Sequence, residues 1–552
     1  MKSIQTVTIT LLLALLMMSC SERKASIEIY ATTDLHGMLL PFDNTEGQAT
    51  DRSLANLASI VSSSSSNKNI ILLDNGDILQ GDPLAYYYNF VDTSRSHIIA
   101  DILNHLGYDA ATAGNHDIET GHPVYDRVRR DYNFPLLAAN AVDTKTGEPY
   151  FDPYTVIKKG GMKVVVFGLI TPSVPRWLPE SLYRGIRFDN MVATARKWMP
   201  VMLGENPDLI VGLFHSGMGS EDERGDDENS TLAVAVNVPG FDIIFCGHDH
   251  REDMNEIENS EGKKVLILDG GSRASTLMNV TVTPVKQADG SVQNELSGRL
   301  IPMNSIPESS AFRERYRGVS DTLLEYTSEV IGRSDATATT REAFFGPSAF
   351  VDLIHRMQLD ISGAQISFAA PLSFDQSIEQ GDLRIRDMYR LYRFENFLYT
   401  VKMTGGEIDR HLEHSAGLWF ETMDDSRDYL LRYRLDDNGK PVMVNGTARL
   451  RNPSYNFESA MGIRYTVDVT KPQGARVTIS SLSDGTPFSY SEMYTVAVNS
   501  YRANGGGGHF PAAGITGTEL ERRMISATER DLRHYMTEWI REKGTIKPVP
   551  LS

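Results

Sequence analysis

The chain has 552 residues, 41% hydrophobic and 23% charged, which is enough length for two or three domains and enough apolar content to bury a core in each. A formal charge of −18 argues against a nucleic-acid polymer as partner. A small phosphate substrate stays open, because bound divalent cations can reverse the local sign.

The N-terminus reads as an export signal. Met1-Lys2 is followed by an apolar run from Thr8 to Met18, which is too short to span a bilayer, and then by Ser19-Cys20. A small residue before a cysteine is what a bacterial lipoprotein cleavage site looks like. Residues 1–20 are therefore expected to be a lipoprotein signal peptide with Cys20 lipidated, and that lipid is the expected membrane contact. A plain cleaved signal is the alternative. Either reading puts the protein outside the cytoplasm, on the outer membrane or in the periplasm. Cys246 is the other cysteine, so no disulfide framework exists, and it is expected to be an inert thiol inside an apolar strand.

From residue 27 to about 283, short β-rich runs alternate with helical stretches. Strands are expected at 27–33, 70–76, 110–114, 135–140, 163–170, 209–214, 243–247 and 264–270, with helices at 54–62, 97–106 and 192–203. Several runs are continuously apolar, which suits strands covered on both faces. The pattern predicts an α/β domain over 26–300, with ligands beyond the carboxyl ends of its strands. The acidic stretch at 221–229 reads as a solvated loop. Phe312, Tyr316, Val319, Leu323 and Tyr326 form one apolar stripe and predict an interdomain helix over 305–334. A second domain is expected over 335–545, with a helix at 346–360 and strands at 393–408 and 462–470.

Five polar turns, each following an apolar run, carry the chemistry: Asp34-Leu35-His36, Asp77, Gly114-Asn115-His116-Asp117, His215 and His248-Asp249-His250. The candidate ligands are Asp34, His36, Asp77, Asn115, His215, His248 and His250. Three oxygen donors and four imidazoles suit Zn, Mn, Fe or Co rather than Mg or Ca. Seven ligands exceed one ordinary site, whereas two divalent ions bridged by Asp77 use them well. Such a pair, ~3.5–4 Å apart, can clamp both oxygens of an in-line phosphoryl displacement. Residues two apart in extended chain point to one side, so Asp34 should meet His36 and His248 should meet His250, with Asp249 turned away.

The motifs D-x-H, G-D-x-x-x-G, G-N-H-D, H-x-G and G-H-x-H, in this order, resemble the metallophosphoesterase superfamily. The resemblance implies a calcineurin-like α/β sandwich with one metal on Asp34, His36, Asp77 and His250. The other metal would lie on Asp77, Asn115, His215 and His248. It also implies that His116 donates to the substrate phosphate and leaving oxygen, paired with an acidic residue three positions on, here Glu119, and that Asp117 is structural.

The second half resembles the α+β 5′-nucleotidase C-terminal domain, in which two aromatic side chains sandwich the base. The matching positions are Phe394 and Tyr501, with Asn504 and Gly505 beside them, and stacking contributes ~1–3 kcal/mol per contact. Tyr455 and Phe457 are expected to be supporting core. Where 5′-nucleotidases carry an N-G-G-G-I-R stretch this chain has Phe368-Ala369-Ala370-Pro371-Leu372, and where they carry a ribose-binding Asp it has Gly507. Both departures resemble the periplasmic 2′,3′-cyclic-nucleotide 2′-phosphodiesterases with 3′-nucleotidase activity. The implied function is nucleotide hydrolysis in extracytoplasmic salvage. A 5′-nucleotidase or UDP-sugar hydrolase is one alternative, and an inactive nucleotide-binding surface lipoprotein is another.

Overall fold

The continuous apolar runs of the first half become strands buried on both faces, but they divide between two sheets rather than one. The computed structural model describes residues 24–63, 69–222, 228–444 and 446–550; the export segment and Cys20 lie outside them. In the first sheet Ile27–Thr32 pairs in parallel with Ile70–Asp74, which continues to Ala110–Thr112 and Leu136–Leu137. On its other side the antiparallel hairpin Thr276–Lys286 and Val292–Pro302 completes the sheet. The second sheet runs Glu252–Glu258, Lys264–Gly270, Ile243–Cys246, Leu209–His215, Met162–Ile170 and Tyr154–Lys159, with its four central strands parallel.

Alternation along each strand explains the layering. Ile27, Ile29, Ile71 and Leu73 of the first sheet pack on Val164, Val166, Val211, Leu213 and Phe245 of the second. The outer face of the first sheet packs under helices Leu54–Ser63, Ile98–Leu106 and His122–Asp131, and that of the second under Met191–Gly204 and Thr231–Asn237. Each buried Val, Leu or Ile contributes ~1.5–3 kcal/mol, so the four-layer stack forms a rigid platform for the turns at its edge. Cys246 is fully buried in it, and burial holds its thiol far above the ordinary range.

The stripe expected as one helix over 305–334 is broken. Ser310–Arg315, capped by Ser309, stops at Tyr316, and Arg317–Ser328 begins anew before the strand Val330–Ser334. The apolar spacing held while the backbone kinked, with Tyr316 at φ −103° and ψ 13°. Phe312, Tyr316 and Leu323 pack on the first-half core, whereas Tyr326 packs on the second.

Beyond it, Ala349–Ser362 forms the expected helix, and a five-stranded sheet runs Ser459–Met461, Ile366–Ala369, Met493–Asn499, Leu398–Thr404 and Met524–Ala527. The long strand expected over 393–408 is shorter. Thr404 and Glu407 form a capping box that starts the helix Gly405–Trp419, so the polar T-G-G-E stretch ends the strand. The third expected element, Ile463–Val467, pairs with Val477–Leu482.

Candidate metal centre and base clamp

All five polar turns lie at the carboxyl ends of parallel strands and meet at one edge of the sandwich. Asp34 follows Ile27–Thr32, Asp77 follows Ile70–Asp74, Asn115 follows Ala110–Thr112, His215 ends its strand, and His248 follows Ile243–Cys246. The side chains do not converge by strand alternation, as expected from the two-residue spacing. Asp34, His36, Asp77, His248 and His250 all have φ between +47° and +78°. Non-glycine residues avoid this region, and where they cluster in it the surrounding structure must hold them there. Among the described residues the other cases are Asn206 and the pair Arg273-Ala274, and Arg273 N–H donates to Asp34 O at 2.8 Å. The non-glycine left-handed residues among those described are thus nearly all concentrated at this edge.

Hydrogen bonds fix the donor atoms. His36 Nδ1 is 3.0 Å from Gln80 O and His215 Nδ1 is 2.7 Å from Asn75 O, so in each ring Nε2 faces the cluster as an acceptor. His36 Nε2 lies 3.0 Å from His250 Nε2, and His215 Nε2 lies 3.1 Å from Asp77 Oδ2 and 3.2 Å from Asn115 Oδ1. Two groups of ligand atoms result, Asp34, His36 and His250 in one and Asp77, His215 and His248 in the other. His248 and His250, which the spacing alone would place on one side, fall in different groups, as the family resemblance implies. A Cβ on Gly114 would fall 2.2 Å from Asp77 Oδ1, and one on Gly247 would fall 2.4 Å from Asp34 Oδ2. Both carboxylates therefore lie against bare backbone. The donor set, the anchored tautomers and the glycine-lined carboxylates fit divalent ions of the borderline class.

His116 stands beside this cluster, its ring 5.4 Å from that of His36. Its N–H donates to Asp77 Oδ1 at 2.7 Å, and its Nδ1 lies 2.5 Å from Glu119 Oε2. Burial works against charge on His116, but the Asp77 and Glu119 carboxylates outweigh it and raise its pKa to about 9. In the metal-free protein it therefore carries a proton at neutral pH. Asp117 accepts the backbone N–H groups of Asp77, Ile78, Leu79 and Gly114 at 2.8–3.0 Å, which ties two of the turns together. Asp249 turns away toward Arg251.

Across the cleft, Phe394 and Tyr501 are half-buried. Tyr455, expected as supporting core, packs against the second-domain core as Phe394 does, and lies edge-on to both rings, at 5.7 Å and 83° to Phe394 and 6.3 Å and 85° to Tyr501. Phe457 joins the core against Phe344 and Trp419. Asn504 Nδ2 donates to Trp177 O at 3.0 Å, and the Trp177 ring is 5.4 Å from that of His248, so the loop carrying Tyr501 touches the sandwich beside the metal cluster. Gly505, with φ +112°, turns that loop. Glu228, in the acidic stretch read as solvated, instead reaches within 3.5 Å of His248 Nε2.

Comparison with known proteins agrees with this geometry. Residues 27–252 match the calcineurin-like phosphoesterase family, and residues 330–514 match the 5′-nucleotidase C-terminal domain. A 2′,3′-cyclic-nucleotide 2′-phosphodiesterase/3′-nucleotidase of Haemophilus influenzae is 25% identical over 96% of this chain and 87% of its own length. The trifunctional nucleotide phosphoesterase YfkN of Bacillus subtilis is 27% identical over 95% of this chain, which spans only 38% of that larger protein. Among solved structures, a 5′-nucleotidase precursor from Thermus thermophilus shares the fold with a TM-score of 0.65 at 21% identity, covering 95% of this chain and 98% of that one. A Staphylococcus aureus protein crystallised with alpha-ketoglutarate shares it with a TM-score of 0.78 at 22% identity, covering 96% and 99%. The chain thus belongs to the metallophosphoesterases that carry a 5′-nucleotidase C-terminal domain, and it is a hydrolase of phosphoric esters.

Proposed function

We propose that the protein is an extracytoplasmic nucleotide hydrolase that opens 2′,3′-cyclic nucleotides to 3′-nucleotides and then releases their phosphate. Two divalent ions would sit on Asp34, His36, Asp77 and His250 and on Asp77, Asn115, His215 and His248. When bound, they would acidify water for attack and neutralise charge on the phosphoryl oxygens. Phe394 and Tyr501 stack the base and so orient the ribose edge toward the metal cluster. Water oxygen bonds to phosphorus, the P–O2′ bond breaks, and His116 delivers its Nε2 proton to the departing O2′. Glu119 holds Nδ1 and keeps the ring protonated until that moment. The lipoprotein reading of residues 1–20 carries the extracytoplasmic part.

The observation that carries the substrate choice is position 507. Its φ is +68°, and a Cβ there would fall 2.1 Å from Arg502 Nη1 and 2.5 Å from Asn456 Oδ1. The buried Arg502 fills the space that an acidic ribose-binding side chain would need, which leaves the 2′ and 3′ oxygens free to face the cluster. The test is phosphate and nucleoside release from 2′,3′-cyclic AMP, 3′-AMP and 5′-AMP with Mn or Co, alongside His116→Ala. The first two should be turned over fastest, and the variant should lose ~10²–10⁴-fold on both. Faster turnover of 5′-AMP would overturn the substrate choice.

A further inference from the structure

After the helix Gly405–Trp419 the chain doubles back on itself as a small ribbon. Tyr433 bridges Leu450, Leu435 bridges Pro441, and Met443–Val444 pairs with Thr447–Ala448. In this register Arg434 stands opposite Arg449, its N–H donating to Arg449 O at 2.8 Å, and Arg432 stands opposite Arg451, whose N–H donates to Arg432 O at 2.7 Å. Opposite residues share a face and their neighbours take the other. Leu431, Tyr433 and Leu450 accordingly pack on Trp419 and Phe457. The four arginines are left together on the second face.

Three of them wall a cavity. Arg434, Arg449 and Arg451, all exposed, line an open space of about 470 Å³ with Phe374, Val444 and Thr447, a volume usual for a small-molecule site. Like charges directly opposite one another destabilise a ribbon unless something offsets them. Arg432 is offset by Glu421 at 3.2 Å, but among the described residues no carboxylate pairs with Arg434, Arg449 or Arg451. Acids close by in the chain are engaged elsewhere. Asp436 accepts the N–H groups of Asn438 and Lys440 at 2.9 Å, and Asp375, next to Phe374, pairs with Arg341 at 3.4 Å. A second open cavity in the same domain, of about 290 Å³, shows the ordinary arrangement: Arg384, Arg386 and Arg390 share its wall with Glu46, Asp382 and Asp387. The arginine cavity has no acid in its wall.

Three uncompensated guanidinium groups around one space, in a chain of net charge −18, take their counter-charge from a ligand. The planar fork of Arg suits phosphoryl oxygens. One phosphate monoester carries about −1.5 to −2 at neutral pH, so three such cations call for a second phosphoryl group. We propose that this cavity is a binding site for a diphosphate, free or carried by a nucleoside, separate from the metal edge. None of its residues is a candidate metal ligand or a ring of the base clamp, so the site stands whether or not the proposed activity does.

The experiment titrates two probes that resist hydrolysis, methylenediphosphonate and adenosine 5′-(α,β-methylene)diphosphate, into the Mn-loaded full chain. Peptide mass spectrometry then maps the reactivity of each arginine toward phenylglyoxal. At saturation Arg434, Arg449 and Arg451 should react about ten-fold more slowly, while Arg427, exposed and paired with Asp425, reacts as before. Arg434→Gln with Arg449→Gln should raise the Kd of this site at least about ten-fold and remove the protection of Arg451, since each lost contact is a charge-assisted one. Protection by both probes upholds the site for a free diphosphate, and protection by the adenosine compound alone upholds it for a nucleoside diphosphate. Binding that leaves the three arginines equally reactive would put both probes at the metal edge and overturn the site. An unchanged Kd in the double variant would overturn it as well.

Discussion

At the edge of the sandwich and in the body of the second domain, the chain gathers histidines and carboxylates whose ligand atoms lie within 4.8 Å of one another. The first gathering is Asp34, His36 and His250 with Asp77, His215 and His248; the second is His411, Glu458 and His509. Distance alone would count all three groups as metal sites, but their surroundings differ. At the sandwich edge, backbone carbonyls hold the Nδ1 atoms of His36 and His215, and the Nε2 atoms turn toward carboxylates that no arginine among the described residues pairs with. In the second domain Glu458 is already engaged, 2.6 Å from His411 Nε2 and 2.9 Å from Arg502 Nε. His411 stacks on Phe368 at 3.9 Å and 9°, and burial, with Arg502 nearby, holds His509 neutral. A divalent ion there would face a guanidinium within a few ångströms. Ligand atoms make a metal site only where the counter-charge has been left for the metal.

Replacing the central carboxylate of each gathering is the strongest way to break this contrast. Asp77→Asn should remove bound ions and lower turnover by at least about 10³-fold, since its oxygens meet both His215 and the His116 backbone. Glu458→Gln should leave the ion count per chain unchanged. Metal analysis of dialysed protein reads both, and an ion lost from Glu458→Gln would show the second cluster to be a metal site after all.

The same Glu458 variant should be costly in another currency. Its removal leaves Arg502, 1% exposed, without its counter-ion, and breaking a buried pair from one side costs roughly 3–5 kcal/mol. Arg502 also donates to Gly506 O and, at 2.5 Å, to Tyr455 O, so the loops carrying Tyr501 and Tyr455 should loosen together. Urea unfolding should show the second domain destabilised while the sandwich keeps its midpoint. Changing Glu458 and Arg502 together to Met should cost less than Glu458→Gln alone, because no unpaired charge then remains. An equal or larger loss in the double variant would mean that the pair holds the loops through its hydrogen bonds rather than its charge.

The contrast also explains what the sequence could disclose. Strands such as Val164–Val166 and Leu209–Leu213 were legible because residues buried on both faces write continuous apolar runs. The metal turns were legible because each ligand must follow a strand end, so chemistry and punctuation coincide. The backbone conformation of those turns was not, since a positive φ at Asp34 or His250 arises from contacts with turns more than two hundred residues away, such as Arg273 N–H on Asp34 O. The break at Tyr316 likewise left the apolar spacing untouched.

A pH-dependent effect concerns a carboxylate beneath the metal edge that belongs to neither gathering. Asp74 ends the strand before Asp77; its Oδ2 accepts from Thr32 Oγ1 at 2.7 Å and its Oδ1 from Gly76 N–H at 3.1 Å. Burial, and then the neighbouring Asp117 and Asp34 carboxylates, raise its pKa to about 8 against those two hydrogen bonds. In the unfolded chain the same group titrates near ~3.9, so between about pH 4 and pH 8 the folded state holds a proton the unfolded state has lost. The stability it contributes is complete below the unfolded pKa and is lost as pH rises through the folded one. Asp74→Asn mimics the protonated form: its Oδ1 still accepts from Gly76 N–H, while its Nδ2 donates to the Thr32 hydroxyl in place of accepting from it. In metal-free protein its Tm should match the wild type near pH 4 and fall less steeply from pH 5 to 8. Parallel Tm curves would mean that Asp74 is ionised in the fold, with the charge sustained by its hydrogen bonds even in the absence of ions.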